Sequence, residues 1–197
     1  MEEAFQLSTP APSPKRRADA ERNRNLALNA AMALLAEPGG TLTVEAIAAR
    51  AGLGAATVVR AFGGKDALLD AAVARLLGPV VQRARDLLEQ TSPYEALDTF
   101  LRELIAFQAR HHAVNDQLGG LDLPATTALR ADLLAAVEAM IDGARRDGRI
   151  RTDLDLAVTT ALIGATALGV ARGEHPAPGL ADAYLTVLLD GLRPPAS

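Results

Sequence analysis

The chain has 197 residues, enough for one or two domains with a sizeable buried core, and the absence of cysteine excludes disulfides and thiolate metal sites. Hydrophobic residues make up 49% of the chain but aromatic residues only 3%, and the abundant alanine and leucine favour helices over strands. The net charge of −4 is unevenly divided, because residues 15 to 65 hold eight cations against four anions whereas the rest of the chain is acidic.

The basic front indicates a polyanionic partner, although an ordinary scatter of surface charge gives a similar count. The N-terminal residues lack the apolar run of a secretory signal. The most apolar window, residues 157 to 171, is shorter than the roughly 20 residues that a membrane span needs. We therefore expect a soluble, cytoplasmic protein without a membrane partner.

Residues 1 to 17 are the first predicted segment, which contains three prolines and ends in Lys15-Arg16-Arg17. This composition is typical of a flexible, basic-ended arm. The arm is either a solvated tail without a partner or an extension that reaches a groove of the polyanion.

Residues 18 to 64 are predicted to form three helices. The first covers about residues 19 to 37, where leucines and alanines recur at helical spacing. Thr43 is expected to cap the second helix, which ends at Gly52. A tight turn then leads into a short third helix over about residues 55 to 61, and two short helices joined by such a turn indicate a helix-turn-helix.

Residues 65 to 197 are predicted to form a second domain made of helices. Its first helix begins near Lys65 and extends to about Thr91, and Gly78-Pro79 is expected to kink or split it because proline removes an internal hydrogen bond. Further helices are expected over about residues 93–114, 124–146, 153–172 and 180–192.

The helix predicted over residues 153 to 172 is apolar almost all round, so it must be buried on every side. Either the rest of the subunit buries it, or a second copy of the chain covers it in a two-fold helical bundle. The sequence thus predicts an all-α homodimer. Each subunit would have an N-terminal three-helix helix-turn-helix domain and a C-terminal helical domain.

Three stretches of the chain resemble the TetR family of bacterial transcriptional repressors. They extend from about Arg17 to Leu69 and read RRADAERNRNLALNAAMALLAE, TLTVEAIAARAGLGAATVVRAF and GKDALL. The positions that carry the family pattern are Ala51-Gly52, Gly54, Thr57, Phe62 and Lys65-Asp66. Beyond residue 70 the resemblance is architectural. It implies a repressor that binds a palindromic operator in double-stranded DNA as a homodimer and responds to a small-molecule effector in its C-terminal domain.

The resemblance places the third helix in the major groove of DNA. Small side chains at Ala55 and Ala56 would allow a close approach, and Thr57 would donate a hydrogen bond or contact a thymine methyl group. Arg60 either reads a guanine edge or holds a phosphate. Helix N-termini near Thr43 and Lys65 favour phosphates, the alternatives being a structural cap and a solvated lysine. The candidate DNA-binding residues are Arg17, Thr43, Gly54, Ala55, Ala56, Thr57, Val59, Arg60 and Lys65.

The chain departs from the family pattern at Val59 and Ala61, where the family usually has a tyrosine and a histidine that contact DNA phosphates. A hydrogen bond to a charged group contributes about 1.5–3 kcal/mol. The loss of two such contacts in each subunit leaves an alternative open. In this alternative, the chain is a dimeric helical sensor or interaction protein of the same architecture with weak or lost DNA binding.

The helix predicted over residues 93 to 114 carries two polar residues, Gln108 and His111, on an apolar face. They would orient an effector inside a mostly hydrophobic cavity, the alternative being core packing with polar ends at the surface. The candidate effector-binding residues are Phe100, Leu104, Phe107, Gln108, His111, Val137 and Met140.

Motifs of catalysis and metal binding are missing from the sequence. The three histidines form no HExxH pattern, and there is neither a phosphate-binding loop nor a nucleophile elbow. We expect no enzymatic activity, no cofactor and no metal.

Overall fold

The structure is a computed structural model that describes residues 14–37, 42–117, 121–171 and 179–195. These residues contain eight α-helices and no strand. The helices are α1 (Pro14–Ala36), α2 (Val44–Ala51), α3 (Ala55–Phe62), α4 (Lys65–Gln90), α5 (Pro93–Gln117), α6 (Pro124–Arg146), α7 (Leu156–Ala171) and α8 (Leu180–Gly191). Within the described ranges, no helix combines the length and the apolar character that crossing a membrane requires.

The N-terminal head consists of α1, α2 and α3, which pack around a common core. Local signals set the bounds of α2, because the Thr43 hydroxyl accepts a hydrogen bond from the Ala46 N–H at 3.1 Å and Gly52 adopts a left-handed conformation at its end. The head core comprises Ala27, Leu28, Ala30, Ala31, Leu34, Leu35, Leu42, Ile47, Ala48, Val58, Leu68, Leu69, Ala72, Val73 and Leu123. Four of these residues belong to α4, so the head core extends past the domain boundary predicted at residue 64.

Helix α1 begins at Pro14, five residues before its predicted start. Lys15, Arg16 and Arg17 therefore lie in its first turn, and the prediction of a flexible arm is wrong for them. The reason is that proline fits the first position of a helix, where its fixed φ is suitable and its missing N–H is not needed. Residues 1 to 13 of the predicted arm lie outside the described residues. Leu26, one of the leucines that recur at helical spacing in α1, is 39% exposed.

The helical body contains a second core, between α4, α5, α6, α7 and α8. Its largest fully buried side chains include Phe100, Leu97, Leu101, Met140, Ile141, Ile163 and Leu185. Helix α4 continues through Pro79 and is not split there. Pro79 lies on the exposed side of α4, where water can hydrate the carbonyl group that it leaves unpaired. Helix α6 has the predicted bounds, from Pro124 at its start to Arg145-Arg146 at its end.

One side of α7 and α8 is not covered by the residues that the structure describes. Thr159, Thr160, Ile163 and Ala167 of α7 are buried against the subunit. In contrast, Val158 and Leu162 are 50% and 51% exposed, and Val187 of α8 is 71% exposed. The described part of the subunit therefore does not bury α7 on every side.

Gly143 brings α6 close to the start of α5. A Cβ atom at this buried glycine would lie 2.7 Å from two ring carbons of Pro93. We expect Gly143→Ala to lower the free energy of unfolding by about 1–3 kcal/mol, because this overpacking exceeds the gain of about 1 kcal/mol in helix propensity. Urea denaturation measures the change. Gly191→Ala is the control, since its Cβ would meet nothing within 4 Å. Equal stability of the two variants would contradict this account of the α5–α6 contact.

Candidate functional site

The outer face of α3 is exposed and carries few bulky groups. Val58 is only 1% exposed and anchors the helix to the head core, whereas Ala56, Val59 and Arg60 face solvent, with Val59 43% exposed. Ala55 was expected on the outer face, but it is half-buried and packs against the head core. The cause is its place in the first turn, directly beside the turn from α2. Thr57 is also half-buried.

Three further predicted residues lie at helix N-termini around α3. Thr43 is half-buried and caps α2, so its hydroxyl is already an acceptor within the head. Gly54 caps α3, and its carbonyl accepts hydrogen bonds from the N–H groups of Thr57 and Val58 at 2.9 and 3.2 Å. Lys65 is exposed in the first turn of α4. These termini present backbone N–H groups near the exposed face of α3.

Arg24 of α1 holds the C-terminal end of α3, a role that the sequence analysis missed. Its guanidinium donates a 2.6 Å hydrogen bond to the Ala61 carbonyl and lies 4.1 Å from the centroid of the Phe62 ring. The guanidinium thus satisfies a carbonyl at the negative end of α3 and adds a cation–π contact. The sequence offers one indication of this role, since Arg24 lies one helical turn before Leu28, where the buried face of α1 begins. Arg24 is a positioning residue for α3.

An open cleft of about 740 Å³ separates the N-terminal half of α1 from α3. Its lining includes Arg16, Arg24, Thr57 and Arg60, together with the acidic residues Asp19 and Glu21 and with Ala61. Arg17, the predicted arm residue, is exposed one position along α1 and does not line this cleft. The cleft brings cations of α1 beside the exposed face of α3. Ala61 leaves it wider than a histidine would.

A buried carboxylate connects α4 to α6. Asp70 is only 7% exposed, and its oxygens accept hydrogen bonds from the N–H groups of Ala125 and Thr126 and from the Thr126 hydroxyl, at 2.9, 2.8 and 2.7 Å. Burial alone would raise the pKa of Asp70, but these hydrogen bonds outweigh it and lower the pKa. Asp70 therefore caps the N-terminus of α6 as an anion, from a helix 55 residues earlier in the chain.

The helical body contains two neighbouring open pockets, which are called the two lobes of the cavity because four residues line both of them. One lobe, of about 150 Å³, lies between α4, α5 and α6, and the other, of about 180 Å³, lies between α5, α6 and α7. Both lobes are lined by Leu104, Gln108, Arg130 and Leu133. The first lobe adds Val73, Leu76, Leu77, Phe107 and His111. The second lobe adds Leu101, Leu134, Val137, Thr160, Ile163 and Gly164.

Five of the seven predicted effector residues line this cavity, namely Leu104, Phe107, Gln108, His111 and Val137. Phe100 and Met140 do not. They are 1% and 0% exposed in the body core, because α5 and α6 pack tightly along those turns. The sequence analysis missed the α4 and α7 walls and Arg130. Arg130 could have been predicted from the sequence. It precedes Leu133, Leu134 and Val137 at i+3, i+4 and i+7, so it lies on the same helical face as these residues.

Two polar atoms at the cavity stand out. The Gln108 Oε1 atom and the His111 Nδ1 atom are buried without a hydrogen-bond partner among the described residues. The His111 ring lies 4.7 Å from the Phe107 ring, and α5 has non-helical backbone angles at His111. Burial and, to a smaller extent, the charge of Arg110 lower the pKa of His111, which keeps the imidazole neutral. Across the described ranges, no three histidine or acidic side chains cluster as a metal site would require.

Comparison with known proteins gives two family matches. Residues 27–72 match the family described as bacterial regulatory proteins, tetR family, and residues 92–194 match the C-terminal domain of SbtR-like transcriptional regulators. Among curated proteins no significant match is found.

Solved structures give matches along most of the chain. A TetR transcription regulatory protein from Mycobacterium vanbaalenii is 35% identical, with 90% of this chain and 99% of that chain covered and a TM-score of 0.62. The TetR regulator SCO0520 from Streptomyces coelicolor is 30% identical over 88% and 99% of the two chains, with a TM-score of 0.63. The regulator FadR from Bacillus subtilis, in complex with stearoyl-CoA, shares the fold at 19% identity, 86% and 99% coverage and a TM-score of 0.70.

Proposed function

Because this chain belongs to the TetR family of bacterial transcriptional regulators, we propose that it is a homodimeric repressor that binds a palindromic operator and releases it when a small-molecule effector binds. The observation that carries the proposal is the outer face of α3, where Ala56, Val59 and Arg60 are exposed on a helix anchored by Val58. The site of action would be the cytoplasm, where bacterial DNA lies.

In this proposal α3 lies in the major groove. The short side chain of Ala56 lets the backbone approach the bases, and Thr57 and Arg60 supply polar groups at the edge of the contact. Backbone N–H groups at the N-termini of α2 and α4, beside Thr43 and Lys65, receive phosphates on either side. Gly54 permits the close approach of the turn that precedes α3.

The first turn of α1 would replace contacts that Val59 and Ala61 cannot make. Arg16 and Arg60 line the cleft between α1 and α3, and Arg17 follows on the exposed surface of α1. Because these cations lie beside α3, a phosphate strand that follows the groove passes them. Asp19 and Glu21 in the same cleft limit the positive potential.

A second copy of the chain is the proposed cover for the uncovered side of α7 and α8. Val158 and Leu162 are one helical turn apart, and with Val187 they present an apolar surface that water would otherwise contact. A two-fold axis at this surface makes the contact self-complementary. It also sets the two copies of α3 at a fixed separation, which must be about 34–36 Å for successive major grooves.

The proposed effector binds in the two-lobed cavity. The complex of FadR with stearoyl-CoA is an example of this fold holding a small molecule. To release DNA, an effector must bind the released arrangement more tightly than the DNA-bound one, usually by about 1–3 kcal/mol. Leu76 and Leu77 of α4 form one wall, so an effector that alters this wall moves the helix that carries the head.

One observation favours a second candidate, a dimeric sensor with weak or lost DNA binding. Val59 places an exposed apolar side chain, 43% accessible, where the family usually has a phosphate-binding tyrosine. Footprinting on the DNA upstream of its own gene separates the two candidates. True DNA binding weakens steeply with salt because counterions are released, whereas a sensor that has lost DNA binding would protect no DNA at any salt concentration.

Arg60→Ala is expected to reduce operator affinity by about 1–3 kcal/mol per subunit, because Arg60 contacts either a base edge or a phosphate. Footprinting at several salt concentrations measures this loss. A base contact leaves the salt dependence unchanged and relaxes the sequence preference, whereas a phosphate contact reduces the salt slope by about 1 per arginine. Arg193→Ala is the matched control, since Arg193 is exposed after α8, far along the chain from the head. Unchanged protection by Arg60→Ala would remove Arg60 from the contact surface.

A further inference from the structure

Helix α6 begins at the head and ends inside the body. Leu123, directly before its first residue, is 6% exposed and belongs to the head core. The second half of α6 belongs to the body core, through Ala136, Val137, Met140, Ile141 and Ala144. Between Thr126 and Ala136 none of its side chains is buried, and this stretch of about 15 Å borders the two lobes of the cavity. The two ends of α6 are therefore held by different parts of the molecule.

The other connections between head and body contain irregular points. In α4, Val73 is the last buried residue in the head core and Ala84 the first in the body core, and Gly78-Pro79 lies between them. Sharp bends of helices occur mostly at such residues, because proline removes a hydrogen bond of the helix. Helix α5 also touches α1, and its backbone angles are non-helical at His111. Neither α4 nor α5 is therefore a uniformly stiff support for the head.

The Asp70 carboxylate joins the head end of α4 to the head end of α6. It accepts three hydrogen bonds, from the N–H groups of Ala125 and Thr126 and from the Thr126 hydroxyl, and both of its oxygens take part. Hydrogen bonds to a charged group are stronger than neutral ones, and the positive end of the α6 dipole favours the anion. Asp70 and Thr126 are 7% and 0% exposed, so water screens this contact little.

An open cleft of about 440 Å³ lies beside this contact. Asp70 and Ala125 line it, together with Arg24 and the exposed Asp122. When the contact opens, water from the cleft can hydrate the carboxylate and the freed N–H groups, which lowers the cost of opening. Arg24 also holds the C-terminal end of α3, so the contact opens beside the support of that helix.

We propose that the Asp70 contact is a releasable clamp that fixes the orientation of the head relative to the body. While the clamp is closed, α6 holds the head in addition to α4, and a bend of α4 at Gly78-Pro79 is blocked. When the clamp opens, the head turns on α4. In the proposed repressor this turn changes the separation of the two α3 helices. Only this regulatory use rests on the proposed function, whereas the clamp itself rests on the contacts of a single subunit.

Distance measurement between two spin labels by electron paramagnetic resonance tests the clamp without a ligand or DNA. The chain has no cysteine, so Ala49→Cys in α2 and Ala139→Cys in α6, both at exposed positions, give one label in the head and one in the body. Labelled chains are mixed with excess unlabelled chains, so that distances within one subunit dominate. We expect one narrow distance distribution in the labelled protein and the loss of that single distance when Asp70→Ala is added. Asp132→Ala is the matched control, because it removes an exposed α4–α6 ion pair and should leave the distribution narrow.

Thr126→Val is a milder second variant, in case Asp70→Ala does not fold. It removes one of the three hydrogen bonds at nearly constant volume and should broaden the distribution less than Asp70→Ala. Circular dichroism checks that each variant is folded. The clamp is refuted if every folded variant keeps the narrow distribution, or if the distribution is already broad with Asp70 and Thr126 in place. Footprinting keeps the two proposals apart, since a protein that has the clamp but protects no DNA would support the clamp and refute the repressor function.

Discussion

If the chain is the proposed homodimer, replacing Leu162 with aspartate is expected to convert it into monomers and to abolish tight binding to the proposed operator with two half-sites. Leu162 is 51% exposed in the single chain, on the side of α7 that no part of the described subunit covers. In the dimer the new carboxylate would be buried without a partner, which costs about 3–5 kcal/mol. The dissociation constant of the dimer should rise by at least about 100-fold.

Sedimentation velocity at micromolar protein measures the oligomeric state of Leu162→Asp, and footprinting measures the DNA binding. The monomer should remain folded, because Leu162 is already about half exposed in the single chain. Circular dichroism should therefore show the same helix content as in the unchanged protein. Ala128→Asp is the matched control, since Ala128 is exposed near the N-terminus of α6, where an anion is favourable. A dimeric Leu162→Asp protein would place the subunit contact elsewhere.

Asp70→Ala is expected to lower the free energy of unfolding by about 3 kcal/mol. The substitution removes a buried anion and leaves two N–H groups and one hydroxyl at the start of α6 unpaired, each of which costs about 1–3 kcal/mol if water cannot reach it. Asp132→Ala is a close control because Asp132 of α6 also pairs with α4, through Arg85 at 2.8 Å, but both side chains are about half exposed. That surface pair should contribute only about 0–1 kcal/mol.

Lowering the pH should also remove the contribution of the Asp70 carboxylate to the free energy of unfolding. Because the folded protein lowers the pKa of Asp70, its stabilisation is present above the pKa of the unfolded carboxyl group and is lost as the pH falls through the folded value. Urea denaturation at several acidic pH values should therefore show a smaller loss on acidification for Asp70→Ala than for the unchanged protein. Equal losses, or an Asp70→Ala protein as stable as Asp132→Ala, would show that Asp70 does not hold α4 and α6 together.

The sequence predicts the helices well where the signals are local. Thr43 and Gly52 bound α2, and Pro124 and the arginine pair bound α6, because caps and helix dipoles act within one turn. The start of α1 was missed for a related reason. Pro14 was grouped with the prolines before it, although the first position of a helix accepts proline readily.

The cavity was predictable only in part, because helical spacing identifies a face but not what packs on it. Phe100 and Gln108 share a face of α5, yet one is sealed in the body core and the other borders empty space. The Asp70 cap joins segments some 55 residues apart, and the α4 wall meets residues of α5 and α6. No local sequence pattern predicts such contacts. Asp70 carried one weak signal, an acidic residue inside the apolar run LLDAAV.

Val73 of α4 belongs to two environments at once. It is a buried member of the head core and also part of the wall of the first cavity lobe. The proposed effector site and the head therefore share Val73, so a signal between them would need no chain of intermediate residues. If this cavity binds the proposed effector, a new specificity is hard to evolve on this wall, since any change of volume at Val73 also disturbs the head core that supports α3. New specificities should arise on the α5 and α7 walls instead.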